Sequence, residues 1–165
     1  MSYRYRLLLI VSLIVLVLDQ ATKLHIAYHF PYGASMTVID GFFSLVHVRN
    51  QGAAFGILAD SAMRVPFFVT VAVLACLGLL WYLSRLREDQ RFLQFSLALI
   101  FAGAVGNLID RIRLGEVIDF IDIYWRSYHW PAFNVADSAI TVGVVLLLID
   151  TFIEERRNKR AQEPS

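Results

Sequence analysis

Apolar and polar positions fall into long blocks along this chain, not into the short alternations of a soluble domain. Leu7–Leu18 is apolar apart from Ser12, and the run carries on through Asp19-Gln20-Ala21-Thr22-Lys23 towards Tyr28. Pro66–Leu83 and Phe92–Ile109 contain no charge, and Ala139–Ile153 is interrupted only by Asp150. About twenty apolar residues in a helix cross the hydrocarbon core of a bilayer. The pattern therefore predicts spans over residues 7–28, 66–83, 92–110 and 137–155. Between His29 and Arg64 the periodicity changes. Pro31 and Gly33 break the helix, and Met36–Ile39 and Phe42–Arg49 are rich in β-branched and aromatic residues. Asp40-Gly41 between them is a hairpin-turn dipeptide, so a small sheet outside the membrane is expected. Ala53–Met63, with Phe55, Ile57 and Leu58, reads as a short interfacial helix, a plain surface loop being the alternative. The expected fold class is an α-helical integral membrane protein. It has four transmembrane helices, a small extramembrane β-hairpin or sheet, and a short interfacial helix on the outer face. With no internal repeat and no linker, residues 1–165 read as one membrane-embedded domain.

Composition supports the bilayer as solvent: 58% of the residues are hydrophobic and the mean hydropathy is +0.58. The net charge is only +1, without a broad basic patch, so no nucleic-acid partner is expected. A single cysteine, Cys76, excludes an intramolecular disulfide. Arg4 and Arg6 ahead of an apolar run fit a secretory signal peptide, but the run passes into Asp19–Lys23 without a small-residue cleavage site. Arg4 and Arg6, the Arg85–Arg91 connection and the Arg156–Arg160 tail share one side of a four-span chain. The positive-inside rule then predicts both termini in the cytoplasm.

Ionisable residues at membrane depth face protein or water and are candidates for function. Asp19 and Lys23 are i,i+4 neighbours, suited to a structural ion pair or to support of a site. Asn107 and Asp110, near the end of the third span, are polar groups that need partners in a bilayer. The stretch from Ile118 to Ser138 is aromatic and polar, and Asp119 and Asp137 bracket it. If it folds back as a loop the two carboxylates face one another. Two carboxylates at close range resist joint ionisation, so one keeps a proton while the other serves as a base on water. The alternative has Asp137 capping the following helix and Asp119 in a polar loop. No His-Glu-x-x-His pattern accompanies His25 and His29, and no Gly-x-Ser-x-Gly elbow is present. A proton-coupled transporter is a rival reading of intramembrane carboxylates, although no inverted repeat accompanies them. A scaffold protein is another, and would need no paired carboxylates.

Several blocks together resemble the bacterial lipoprotein signal peptidases, also called signal peptidase II. In order they are Asp19-Gln20-Ala21-Thr22-Lys23, Asn50-Gln51-Gly52-Ala53-Ala54-Phe55-Gly56 and Gly106-Asn107-Leu108-Ile109-Asp110-Arg111. Val117-Ile118-Asp119-Phe120 and Phe133-Asn134-Val135-Ala136-Asp137-Ser138 complete the set. Ala102 before Gly103 stands where the family often has a glycine pair. The resemblance implies an aspartic endopeptidase with Asp119 and Asp137 as its catalytic pair. It would cleave diacylglyceryl-modified prolipoproteins just before the lipidated cysteine, at the outer face of the inner membrane. Neither metal nor other cofactor is implied. Asn107 and Asn134 are candidates to orient the substrate backbone or a carboxylate oxygen. Arg111 is a candidate to grip backbone carbonyls or lipid phosphate, with pairing to Asp110 as the alternative. Asn50 and Gly52 would line the groove from outside the membrane, and Asp19, Lys23 and Asp110 would support the site. The expected partners are lipidated prolipoproteins and membrane phospholipid, with the chain acting as a monomer.

Overall fold

The computed structural model describes residues 2–52 and 63–162. Four long helices run through it: α1 (Tyr3–His29), α2 (Arg64–Arg85), α3 (Arg91–Leu114) and α4 (Val135–Gln162). Each is long and apolar enough to cross a membrane. The helices outrun the expected spans by up to a turn or two, because the polar flanks continue the helical hydrogen bonding beyond the apolar core. The expected interfacial helix falls almost wholly on residues 53–62, outside the described residues.

Local chemistry explains where the helices stop. Phe30 is extended, as a residue before proline prefers, and its N–H closes the last turn of α1 on the Ile26 carbonyl at 2.9 Å. Gly115 ends α3 in the left-handed region at φ 74°, where a side chain would be strained. The carbonyls at the end of α2 are taken by Arg4, whose Nη1 donates to Ser84 O at 2.8 Å and Leu86 O at 2.6 Å. Arg91 lies 4.9 Å over the Tyr3 ring. The start of α1, the end of α2 and the start of α3 therefore gather at one end of the bundle.

At the other end sits a four-stranded antiparallel sheet in the order β1 (Ser35–Ile39), β2 (Phe43–Asn50), β3 (Val117–Trp125), β4 (Tyr128–His129). The expected hairpin is β1–β2. The stretch expected to fold back as a loop is instead strand over most of its first half. β3 pairs with β2, setting Val48 opposite Asp119. It then turns through Arg126 at φ 58° into β4. Alternation along β3 is hidden because both of its faces are covered: Val117, Ile118, Asp119 and Phe120 are all buried.

α3 is the central helix and packs against the other three, and half of its spanning segment is buried, compared with 11% for α2. Small residues make the close approach possible. A Cβ on Gly143 would lie 2.8 Å from the Ser96 carbonyl oxygen, and one on Gly103 would collide with the Ala136 carbonyl. Val11, Val15, Ala98, Ala102 and Ala139 fill the helix junction, while the remaining helix faces present Leu, Ile, Val and Phe outward, as a lipid-facing surface does.

Candidate active site

The return from β4 to α4 brings the two bracketing carboxylates together. Phe133 pairs with Ile121: its N–H donates to Ile121 O at 3.1 Å, and its carbonyl accepts from Ile121 N at 2.8 Å. This pins the first turn of α4 beside the middle of β3. Asn134 then caps α4. Its Oδ1 accepts the Asp137 N–H at 2.9 Å, and Asp137 Oδ2 accepts the Asn134 N–H at 3.3 Å, a reciprocal capping box. The helix-cap alternative for Asp137 is thus half the truth: one oxygen caps, the other faces the site.

Two asparagines stitch the pair together. Asn134 Nδ2 donates to Asp119 Oδ1 at 2.7 Å and to Asn107 Oδ1 at 3.2 Å. Asn107 Nδ2 donates to Asp137 Oδ1 at 2.7 Å. Asp119 is 2% exposed, and its carboxyl is raised from 3.8 to about 6. Burial is the main cause and the nearby Asp137 charge the second, with hydrogen bonds from Asn50 and Asn134 and the charge of Lys23 pulling weakly the other way. Asn50 and Asp137 line one open cavity of about 770 Å³ with Ile123, Trp130, Phe133 and Thr141. It runs from the sheet down the outward face of α4.

Behind the carboxylate pair lies a buried ion cluster. Lys23 Nζ is 2.9 Å from Asp19 Oδ2 and 2.9 Å from Asp110 Oδ2, and it donates to Asn107 Oδ1 at 3.0 Å. All three ammonium protons are therefore used, which is what a buried lysine requires. Asp19 Oδ1 accepts the Ala136 N–H of α4 at 2.9 Å, and Asp110 Oδ2 accepts the Ile118 N–H of β3 at 3.2 Å. The cluster ties α1, α3, α4 and β3 at one point. Asp110 serves Lys23, which leaves its suggested pairing with Arg111 unmade. Arg111 donates to the Asn107 carbonyl at 3.3 Å and lies 5.6 Å over the Phe68 ring. Gly52 lies on the same ring, where an added Cβ would come within 3.1 Å, and its N–H donates to Asn50 Oδ1 at 2.7 Å.

Gln20 was not among the expected site residues. Its Nε2 donates to Asp19 Oδ2 at 3.1 Å and Asp110 Oδ1 at 3.0 Å, and its Oε1 accepts from Arg113 at 3.2 Å. The signals are its place beside Asp19, since a polar residue in an apolar run needs a partner there, and its membership of the Asp19–Lys23 block.

Fold and site define a multi-pass membrane protein with one buried and one half-buried carboxylate, bridged by amides, at the sheet end of its helices. The profile of the Signal peptidase (SPase) II family matches residues 11–153, and the chain belongs to that peptidase family. The lipoprotein signal peptidase of Geobacter sulfurreducens is 56% identical over 157 residues, covering 95% of this chain and 98% of that protein. Its counterpart in Geobacter metallireducens is 51% identical over 160 residues, covering 97% and 99%. A solved bacterial membrane enzyme, 36% identical, superposes with a TM-score of 0.82 over 96% of this chain and 94% of its own. A second, 38% identical, gives 0.80 over 87% and 91%.

Proposed function

We propose that this protein is an aspartic endopeptidase that removes the signal peptide from diacylglyceryl-modified prolipoproteins. It cuts just before the lipidated cysteine at the outer face of the inner membrane. The observation that carries this reading is the Asn107–Asn134 bridge, which holds Asp119 and Asp137 within electrostatic reach of one another beside an open groove. The names of the curated relatives support the substrate class. A signal-peptide helix spans the membrane, so its scissile bond lies at the depth of the first turn of α4.

In this mechanism one carboxylate takes a proton from a water between the pair, and the water attacks the scissile carbonyl. The protonated partner donates to the carbonyl oxygen as it becomes tetrahedral. The roles then exchange to protonate the departing amine. The raised pKa of Asp119 suits a carboxyl that must hold a proton, and lipid plus bound substrate exclude more water and push it further the same way. Asn107 and Asn134 keep the carboxylate oxygens in place. Asn50 lines the groove, and Gly52 and Arg111 meet on the Phe68 ring; all three suit contacts to the substrate backbone or a phospholipid headgroup. Asp19, Lys23 and Asp110 hold the helices in register. All these groups come from one chain, which favours a monomeric enzyme. The clustering of Arg4 and Arg91 at the end opposite the sheet favours cytoplasmic termini and a site facing the outer side.

Asp119→Asn and Asp137→Asn test the reading. General acid–base catalysis is worth about 10² to 10⁴ in rate, and each variant should lose at least that on a lipidated precursor. The double variant should be little worse than either single one, since the pair acts as a unit. Asp137→Asn keeps an Oδ1 that can accept the Asn134 N–H, so the capping-box contact survives the substitution. A correctly inserted Asp137→Asn protein cleaving at near wild-type rate would therefore reduce Asp137 to a cap and end the aspartic reading.

A further inference from the structure

We propose that Lys23 is a positioning residue which, through Asn107, selects Asp137 as the ionised member of the carboxylate pair and leaves the shared proton on Asp119. This rests on the aspartic reading above and assigns the two roles within it.

A side-chain amide takes its orientation from neighbours that can play only one part. The Lys23 ammonium can only donate, and it bonds Asn107 Oδ1 at 3.0 Å. Asn107 Nδ2 is thereby turned to Asp137 Oδ1 at 2.7 Å. The backbone N–H of Asp137 can likewise only donate, and it holds Asn134 Oδ1, turning Asn134 Nδ2 towards Asp119 and Asn107. Neither amide can flip without losing an obligate donor. As a result both oxygens of Asp137 accept an N–H, one from the Asn107 amide and one from the Asn134 backbone. Both bonds favour the anion; Asp119 also accepts two, from Asn134 and Asn50, so the difference between the carboxylates lies in what surrounds those bonds. Asp137 stands in the first turn of α4, where unpaired backbone amides favour an anion. Asp119 lies in mid-strand with no helix terminus behind it and almost no solvent.

Of the other charges facing the pair, Lys23 favours ionised Asp119 and so acts against this assignment, but it is the smallest of the effects there. Asp19 and Lys23 come from α1, Asp110 and Arg111 from α3. Lys23 is shared between Asp19 and Asp110. Arg111 interacts more strongly with Asp137 than with Asp119. In the reaction Asp137 therefore accepts the proton from water, and Asp119 donates its own to the scissile carbonyl oxygen.

The test is the pH profile of kcat/KM, whose acid limb reports ionisation of the base in the free enzyme. Asp19→Asn/Lys23→Met removes one cation and one anion, so the charge of the cluster is kept while Asn107 loses its ammonium. Asn107→Leu removes the amide itself and leaves the Asp19–Lys23–Asp110 cluster whole, which keeps the test open if the double variant fails to insert. Losing a charge-assisted hydrogen bond should move the acid limb up by about one pH unit in either variant. A uniform fall in rate with the limb unmoved would overturn the inference. In parallel, infrared spectra just below the pH at which Asp119 titrates should show a protonated-carboxyl C=O stretch that vanishes in Asp119→Asn. Its survival there would place the proton elsewhere and also overturn it. Cleavage retained by Asp119→Asn or Asp137→Asn removes the aspartic reading itself. An unmoved limb in an enzyme that needs both aspartates removes only the relay.

Discussion

Asp119→Asn should stabilise this protein at neutral pH while abolishing cleavage. In the folded chain the Asp119 carboxyl is raised from 3.8 to about 6, first by burial and then by Asp137. A raised carboxyl favours the folded state in its protonated form. That contribution is complete below 3.8 and is lost as the pH rises through about 6. Above that, wild type carries a buried anion beside a second one. At about 1.4 kcal/mol per pH unit the interval corresponds to about 3 kcal/mol. Asparagine is neutral at every pH. Its Oδ1 can accept from Asn134 as Asp119 does now at 2.7 Å, and its amide can donate to Asp137. The variant should therefore gain up to about 3 kcal/mol over wild type above pH 7 and nothing below pH 4. Equilibrium unfolding in detergent micelles across this range measures the difference directly. A variant that is less stable at all pH values, or a difference that ignores pH, would refute the assigned cause. Stability and activity moving in opposite directions would mark a site held under electrostatic strain. Simple damage to the fold would lower both.

Two further outcomes follow from the packing and the charge distribution. Gly106→Ala would place a Cβ 2.8 Å from Asp19 Oδ2 and 3.1 Å from the Ala136 Cβ, between the ion cluster and the start of α4. Overpacking there should cost about 1–3 kcal/mol and depress kcat by displacing Asp137, whereas an unchanged unfolding midpoint would show that α3 and α4 have room to part. Reporter fusions after Arg87 and after Lys159 should both give cytoplasmic signals and one near Asp40 an outer-side signal. A cytoplasmic signal near Asp40 would reverse the orientation and take the groove off the outer face.

The four helices, the β1–β2 hairpin and the helix stop at Phe30 are all legible in the order of residues. Each depends on chemistry within one window: an apolar run long enough for the bilayer, a turn dipeptide, a proline. The Asp19–Lys23 ion pair is legible for the same reason, as the two stand one helical turn apart. β3 was not, because a strand covered on both faces shows no alternation, and its partner β2 lies far away in the chain. Nor was the second half of the ion cluster. Asp110 could be seen to need a partner, and the adjacent Arg111 was the nearest cation in sequence. What joins Asp110 to Lys23, and Asn107 to the same ammonium 84 residues away, is the rotation and separation of α1 against α3. Those depend on small residues such as Gly103, Gly106 and Gly143, which let the backbones of α3 and α4 close while α1 seats against both. A sequence lists which polar groups must find partners in lipid. Only the packed helices decide which ones meet, because that choice depends on distances between segments that no local pattern encodes.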